Sequence, residues 1–342
     1  MALTRKDFLK TTAIVSFAGI PLNAAGCDTK TEDKFSEKIK PVALKRGDTL
    51  GLVAPASPIY EDSVFQKMLD DLQGLGFKLK LGNHVRSQRG YLAGTDEDRA
   101  GDLMAMFKDP DVDGIMCIRG GWGCNRILPL LNYEVIRNNP KVFCGFSDIT
   151  SLHMAMYKKS DLITFHGPVG KSDWNDFTAN AFKNIIWEGK ETRFGVHNDS
   201  DDSFSIHPGV AKGILFGGNL SVLVSMIGSD YLPSFENAIL FLEDIGESVY
   251  RIDRMITQLK LAGILDQING FVFGKCSDCS AGENSLTLKE VFEDHIKPLN
   301  IPAFYGASIS HEEYNITLPQ GISGEINATL KTIDILESAV IK

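Results

Sequence analysis

The chain has 342 residues, is 43% hydrophobic and carries a formal net charge of −9. That is enough apolar material for two domains, which usually run to about 100–200 residues each. The acidic balance, with no basic stripe interleaved with aromatics, argues against a nucleic-acid partner.

The N-terminus reads as an export segment. Thr4, Arg5, Lys6, Asp7, Phe8, Leu9 and Lys10 form a charged stretch of twin-arginine type, with lysine as the second cation. Residues 11–22 are apolar but too few to span a bilayer as a stable helix, and the small residues Ala24, Ala25 and Gly26 follow. Cys27, directly after them, resembles the acceptor of a bacterial lipobox; an ordinary cleaved signal with an incidental cysteine is the other reading. The expectation is a signal over residues 1–27, lipidation at Cys27, a polar tether over 28–40, and a periplasmic or envelope location.

From residue 41 strands and helices alternate. Residues 49–54 are an apolar run stopped by Pro55, and Ser63 can cap a helix with Val64, Phe65, Met68, Leu69, Leu72 and Leu75 on one face. A second strand is expected at 77–81. A helix follows from Asp96, with Ala100, Leu103, Met104 and Phe107 inward, and a third strand at 114–118. Arg119, Gly120, Gly121, Trp122 and Gly123 come next. Val142, Phe143 and Cys144 make a further buried strand, followed by the turn Gly145-Phe146-Ser147-Asp148 and a helix with Ile149, Leu152, His153 and Met156 on one face. This alternation implies an α/β fold with a doubly wound parallel sheet over 41–170. Ligands in such sheets sit beyond the carboxyl ends of the strands, so the loops at 119–123 and 145–148 are expected to face one crevice.

The strand at 162–165 leads to His166, Gly167 and Pro168. Residues 171–208 lose the pattern and read as an irregular connection carrying Trp174 and Trp187. From 209 to 342 short strands and glycine-rich turns suggest a smaller C-terminal α/β domain. Residues 238–242 form an apolar strand ending in Glu243 and Asp244, and Val249, Ile252, Ile256 and Leu259 mark one face of a helix. Among the cysteines after residue 27, Cys117 and Cys144 sit in apolar runs and read as buried thiols. Cys276 and Cys279 have C-x-x-C spacing without a second ligand pair, which disfavours zinc and leaves a surface-loop disulfide open.

Ser147 at a strand-to-helix turn has two readings. It can cap the helix, or it can act as a nucleophile beside the free N–H groups of the first helical turn. A nucleophile needs a base, a group that orients the base, and an oxyanion hole. Of the seven histidines, His166 and His311 follow apolar strands and are placed to reach a crevice, whereas His153 reads as packed on the sheet. Glu243, directly after a five-residue apolar strand, is placed for desolvation, with Asp244 pointing the opposite way. Dinucleotide and P-loop motifs are absent from the sequence, as is a metal-binding histidine pair at helical spacing.

Several segments together carry more than any one of them. Ile118-Arg119-Gly120-Gly121-Trp122-Gly123, residues 140–150 (PKVFCGFSDIT), Phe165-His166-Gly167-Pro168, Gly217-Gly218-Asn219-Leu220, Phe241-Leu242-Glu243-Asp244-Ile245 with Arg251-Ile252-Asp253-Arg254, and His311 with Leu318-Pro319-Gln320-Gly321 occur in this order. Over residues 45–335 the chain resembles the LD-carboxypeptidases, serine peptidases that include murein tetrapeptide carboxypeptidases and microcin C self-immunity hydrolases. The resemblance implies a Ser147–His311–Glu243 triad and an oxyanion hole from the N–H of Asp148 and one of the Gly120-Gly121 loop. It implies substrate contacts by Arg119, Trp122 and Arg126, no metal or other cofactor, and a homodimer. The implied reaction is hydrolysis of the L,D amide before a terminal D-alanine in peptidoglycan stem tetrapeptides. Two alternatives stay open: a microcin-type peptide-nucleotide hydrolase, with Trp174 or Trp187 stacking the base, and a non-catalytic lipoprotein that binds muropeptides. Ser310 stands where the family commonly has glycine before the histidine.

Overall fold

The computed structural model describes residues 38–197 and 202–342; the expected signal over 1–27, with Cys27, and nearly all of the expected tether over 28–40 lie outside them. The strands in chain order are β1 (Thr49–Val53), β2 (Lys78–Leu81), β3 (Gly114–Cys117), β4 (Val142–Gly145), β5 (Phe165–His166), β6 (Thr192–Gly195), β7 (Phe204–His207) and β8 (Val210–Asn219). They continue as β9 (Ala238–Ile245), β10 (Gly270–Ser277), β11 (Ala303–Ala307), β12 (Leu318–Pro319), β13 (Ser323–Asn327) and β14 (Thr332–Ile335). They assemble into a six-stranded sheet, β12-β5-β4-β3-β1-β2, and an eight-stranded sheet, β6-β14-β13-β8-β9-β10-β11-β7.

The first sheet is parallel from β2 to β5. Its central strands, GIMC and VFCG, are buried at every position, as strands covered by helices on both faces must be. The exposed KLKL of β2 places Lys78 and Lys80 on the open edge, where charge discourages pairing with another chain. The helix Asp62–Gly74 buries Phe65, Met68 and Leu72. Ser63 lies inside its first turn, and Glu61 occupies the N-cap position without a side-chain cap. Helix Asp96–Lys108 starts on a capping box, in which Thr95 and Asp98 satisfy each other's backbone N–H groups.

In the second sheet β8, β9, β10 and β11 run parallel, with β13, β14 and β6 added antiparallel on one side and β7 on the other. Helix Val249–Leu261 turns Val249, Ile252, Ile256 and Leu259 inward, the face read from the periodicity. Residues 171–208 differ from the expected irregular connection: they hold helix Asp176–Phe182, a π-turn at Lys183–Trp187, and β6 and β7 at the two rims of this sheet. Each rim strand has four residues and buries one, Phe194 or Ile206, too little alternation to register as strand in the sequence.

The two sheets are interlocked. β12 comes from the last part of the chain yet pairs with β5 of the first sheet, Leu318 opposite His166. Gly217 and Gly218, at the end of β8, run against the neighbouring backbone: a Cβ on Gly217 would strike the Phe241 carbonyl, and one on Gly218 the Thr150 side chain. Gln320 clamps this spot by accepting from Gly217 N–H at 3.1 Å and donating to Gly217 O at 2.7 Å. Gly217→Ala is therefore expected to cost about 3 kcal/mol or more, because a backbone carbonyl cannot give way as a side chain can. Urea unfolding measures this, and a loss under about 1 kcal/mol would show that β8 and β9 can separate at little cost.

Candidate active site

At the end of β4 the chain passes through extended Phe146 into Ser147, whose φ is +66°. A left-handed serine is uncommon and costs about 1–2 kcal/mol. A 3-10 turn, Ser147–Ile149, then leads into helix Thr150–Ser160. The glycine loop after β3 packs directly behind this turn. A Cβ on Gly120 would lie 2.7 Å from Ser147 Cβ and 3.0 Å from its Oγ, so only glycine allows the approach. Ser57, after β1, braces the loop. Its N–H donates to Gly120 O at 3.3 Å, and its Oγ accepts from Trp122 N–H at 3.2 Å. The loops at 119–123 and 145–148, expected to face one crevice, are in direct contact through Gly120 and Ser147.

Glu243 and His311 arrive from the second sheet. Glu243, on β9, is fully buried. His311 Nδ1–H donates to Glu243 Oε2 at 2.7 Å, and His311 Nε2 lies 3.0 Å from Ser147 Oγ. The imidazole packs on the Phe146 ring at 4.7 Å between centroids. Asp244 faces the other way, as alternation requires, and accepts from Asn219 Nδ2 at 3.1 Å and Ser221 N–H at 2.9 Å. Burial, with the charge of Glu243 added, raises its carboxyl to about 6. Burial alone would pull His311 below its ordinary 6.5, but the hydrogen bond and charge of Glu243, helped by Asp244, leave it raised.

The serine before His311 has a clear part. Ser310 Oγ accepts from Lys275 N–H at 2.5 Å, and Ser310 O accepts from Asn315 Nδ2 at 3.0 Å. On the other flank Ser277 Oγ–H donates to Glu312 at 2.6 Å. The end of β10 therefore grips the histidine from both sides. Cys276 and Cys279 in that same segment form a disulfide. A cleft of about 720 Å³ opens beside His311, bordered also by Phe146, Lys171, Trp174 and Glu313.

These observations can be set beside known proteins. Residues 50–167 match the LD-carboxypeptidase N-terminal domain and residues 212–326 the LD-carboxypeptidase C-terminal domain. A probable murein peptide carboxypeptidase of Bacillus subtilis is 38% identical over 313 residues, covering 90% of this chain and 97% of that protein. The chain belongs to the LD-carboxypeptidase family. Among solved structures, MccF in complex with glutamyl sulfamoyl guanosine superposes with a TM-score of 0.82 at 28% identity, over 88% of this chain and 99% of that one. The muramoyltetrapeptide carboxypeptidase of Oxalobacter formigenes gives 0.75 at 28% identity, over 85% and 99%.

The remaining residues singled out in the sequence fall at varied distances from the LD-carboxypeptidase cleft. The Arg126 guanidinium is held by Asp96 through Nε at 2.9 and 3.0 Å and Nη2 at 2.8 Å. Trp122 is half exposed and meets Tyr91 edge-on at 5.5 Å. Arg119 Nη1 donates to Pro58 O at 2.9 Å. Asp148 is buried, with burial raising its carboxyl, and it accepts from Cys124 N–H at 2.8 Å. His166 is buried behind Phe146 and donates to Ile309 O at 2.9 Å; burial keeps it neutral. His153, bound to Gly145 O and Thr164 Oγ1 at 2.8 and 2.9 Å, is pushed down by burial to about 3. Trp187 packs edge-on to Phe77 in the core at 5.5 Å, away from the cleft that Trp174 borders.

The sign of the His311 shift fixes its pH behaviour. A raised folded value stabilises the protein below the unfolded value, and that contribution is lost as pH rises through the folded one. NMR titration should place the His311 midpoint above 6.5, and Glu243→Gln should move it down, because burial then acts with less opposition. An unmoved midpoint would show that Glu243 does not set the charge of His311.

Proposed function

We propose that this protein is a serine-type LD-carboxypeptidase that hydrolyses the amide between a diamino acid's L-centre and a terminal D-alanine in peptidoglycan-derived tetrapeptides. The observation that carries the reading is the unbroken hydrogen-bonded chain from Ser147 through His311 to buried Glu243. Family membership and the names of relatives, murein peptide and muramoyltetrapeptide carboxypeptidases, support the peptide substrate.

In this reading His311 Nε2 removes the Ser147 proton as Oγ attacks the scissile carbonyl. The tetrahedral oxyanion is received by the N–H of Asp148 and by one from the Gly120-Gly121 loop, the Trp122 N–H being taken by Ser57. His311 then passes the proton to the departing amine of D-alanine, and the acyl-enzyme is released by a water that His311 activates. Glu243 accepts from His311 Nδ1–H and so holds the imidazole in the tautomer that leaves Nε2 free to accept. The proposal includes export and anchoring at Cys27, which would put the enzyme among periplasmic peptidoglycan fragments, and a homodimeric state.

Incubating the purified protein with defined tri-, tetra- and pentapeptides, followed by mass spectrometry, should show loss of one alanine from the tetrapeptide. Ser147→Ala should lower kcat by about 10⁴-fold or more; retained turnover would remove the serine from the mechanism. Cleavage of an aminoacyl sulfamoyl nucleoside but not of the tetrapeptide would overturn the substrate assignment. The acid limb of kcat/KM should lie above pH 6.5, since the free enzyme must hold His311 neutral and its value is raised.

A further inference from the structure

Arg99 closes the first turn of helix Asp96–Lys108 and is only 1% exposed. A guanidinium taken out of water must place its donors somewhere. Nη1 donates to two backbone carbonyls, Pro55 O and Gly123 O, the second at 2.9 Å, and Nη2 pairs with Asp96. Pro55 lies in the loop after β1, and Gly123 ends the glycine loop after β3. Ser57 joins the same two loops a second time, through Gly120 O and Trp122 N–H. Arg99 thus anchors the far end of the loop whose near end Ser57 braces.

The fastening continues into the serine turn. Cys124 N–H, one residue beyond Gly123, donates to the Asp148 carboxylate at 2.8 Å. Burial raises that carboxyl, and the Cys124 N–H and the charge of Arg99 oppose it. Asp148 directly follows Ser147, whose Cβ faces Gly120. The loops leaving β1, β3 and β4 are therefore tied together around one buried cation.

Stability alone is a poor account of this cation. Its Nε is buried without a hydrogen-bond partner among the described residues, so part of its desolvation cost is not offset. Buried ion pairs in general add little over an apolar side chain of similar volume. Without Arg99, Asp96 would keep Arg126, and Gly123 O would keep the Arg126 N–H at 3.1 Å. What the guanidinium alone supplies is a planar fork that meets two carbonyls and a carboxylate at once.

Resting on the reaction proposed above, we infer that Arg99 is a positioning residue for the oxyanion hole. It sets the spacing between the Gly120-Gly121 loop and the Asp148 N–H, the two sides from which that hole is built. Arg99 touches no reacting atom. Its effect falls on the geometry met by the developing oxyanion, where a misplacement of about 1 Å costs about 100-fold in rate.

The test uses Arg99→Met and Arg99→Lys, with tetrapeptide turnover expressed per folded molecule from near-UV circular dichroism. Arg99→Met should lower kcat by about 10–100-fold while KM stays within about threefold. Arg99→Lys should restore part of kcat, since an ammonium keeps the charge but not the fork. If Arg99→Met does not fold, Arg99→Lys carries the comparison with an intermediate loss expected. Amide hydrogen exchange needs no substrate: in Arg99→Met it should quicken about tenfold at Ser57, Trp122 and Cys124, with β3 unchanged. An unchanged kcat per folded molecule, a loss confined to KM, or exchange that quickens equally along β3 overturns the assignment. Should the unmutated protein release no D-alanine, the proposed reaction fails, and the exchange comparison still decides whether Arg99 holds this joint.

Discussion

The contact between Thr150 and Asn219 is the constraint on which the site depends. Thr150 opens the helix that follows Ser147, and its Oγ1 accepts from Asn219 N–H at 2.9 Å. Asn219 is the last residue of β8 and lies opposite Glu243 in the parallel register with β9. One hydrogen bond thus ties the start of the serine's helix to the strand pair that carries the carboxylate. Two glycines precede it because the approach is close there: a side chain on Gly217 would force β8 from β9, and one on Gly218 would push against Thr150. A hydrogen-bonded chain of Ser147, His311 and Glu243 assembled from two sheets needs tolerances of a few tenths of an ångström at such a joint.

The electrostatics follow from that joint. Glu243 is fully buried, and its Oε1 has no hydrogen-bond partner among the described residues. A carboxylate kept in that state depends on its one close contact with His311. Asp244, immediately beside it, relieves the strain differently: it faces the opposite side and is spread over backbone and asparagine donors. Two adjacent acids with opposite surroundings therefore serve different ends, one polarising the imidazole and the other fastening helix Leu220–Ser225 to the sheet.

Much of this was legible in the sequence. The buried parallel strands appeared as continuous apolar runs, and helix Val249–Leu261 showed its inward face by spacing alone. Ser147, Glu243 and His311 stood out as residues at strand ends, although nothing local separated Ser147 from a helix cap. That distinction comes from φ and from partners 96 and 164 positions away in the chain, which no window on the sequence contains. Rim strands β6 and β7 were missed because each buries a single side chain. The pairing of Arg126 with Asp96 was not legible, since Asp96 looked like an ordinary helix-start acid. Ser57 was passed over, yet the rule that ligands gather beyond strand ends already pointed to the loop after β1 that carries it.

The division between the sheets also explains how a strained serine and a well-held base coexist. Ser147 sits on a turn whose left-handed backbone is backed by the glycine loop, itself braced by Ser57, and is followed by Asp148, which accepts from Cys124 N–H. His311, by contrast, is gripped by Ser310, Glu312 and Asn315 and backed by Phe146. A hydroxyl needs only to rotate about one bond to meet the base, so its backbone can store the strain. An imidazole that must face Ser147 with one nitrogen and Glu243 with the other has no such freedom. Ser310 in place of glycine fits this logic, since its hydroxyl adds a hydrogen bond where glycine would leave the loop looser. Rigidity has been placed on the residue that bonds in two directions, and strain on the residue that bonds in one.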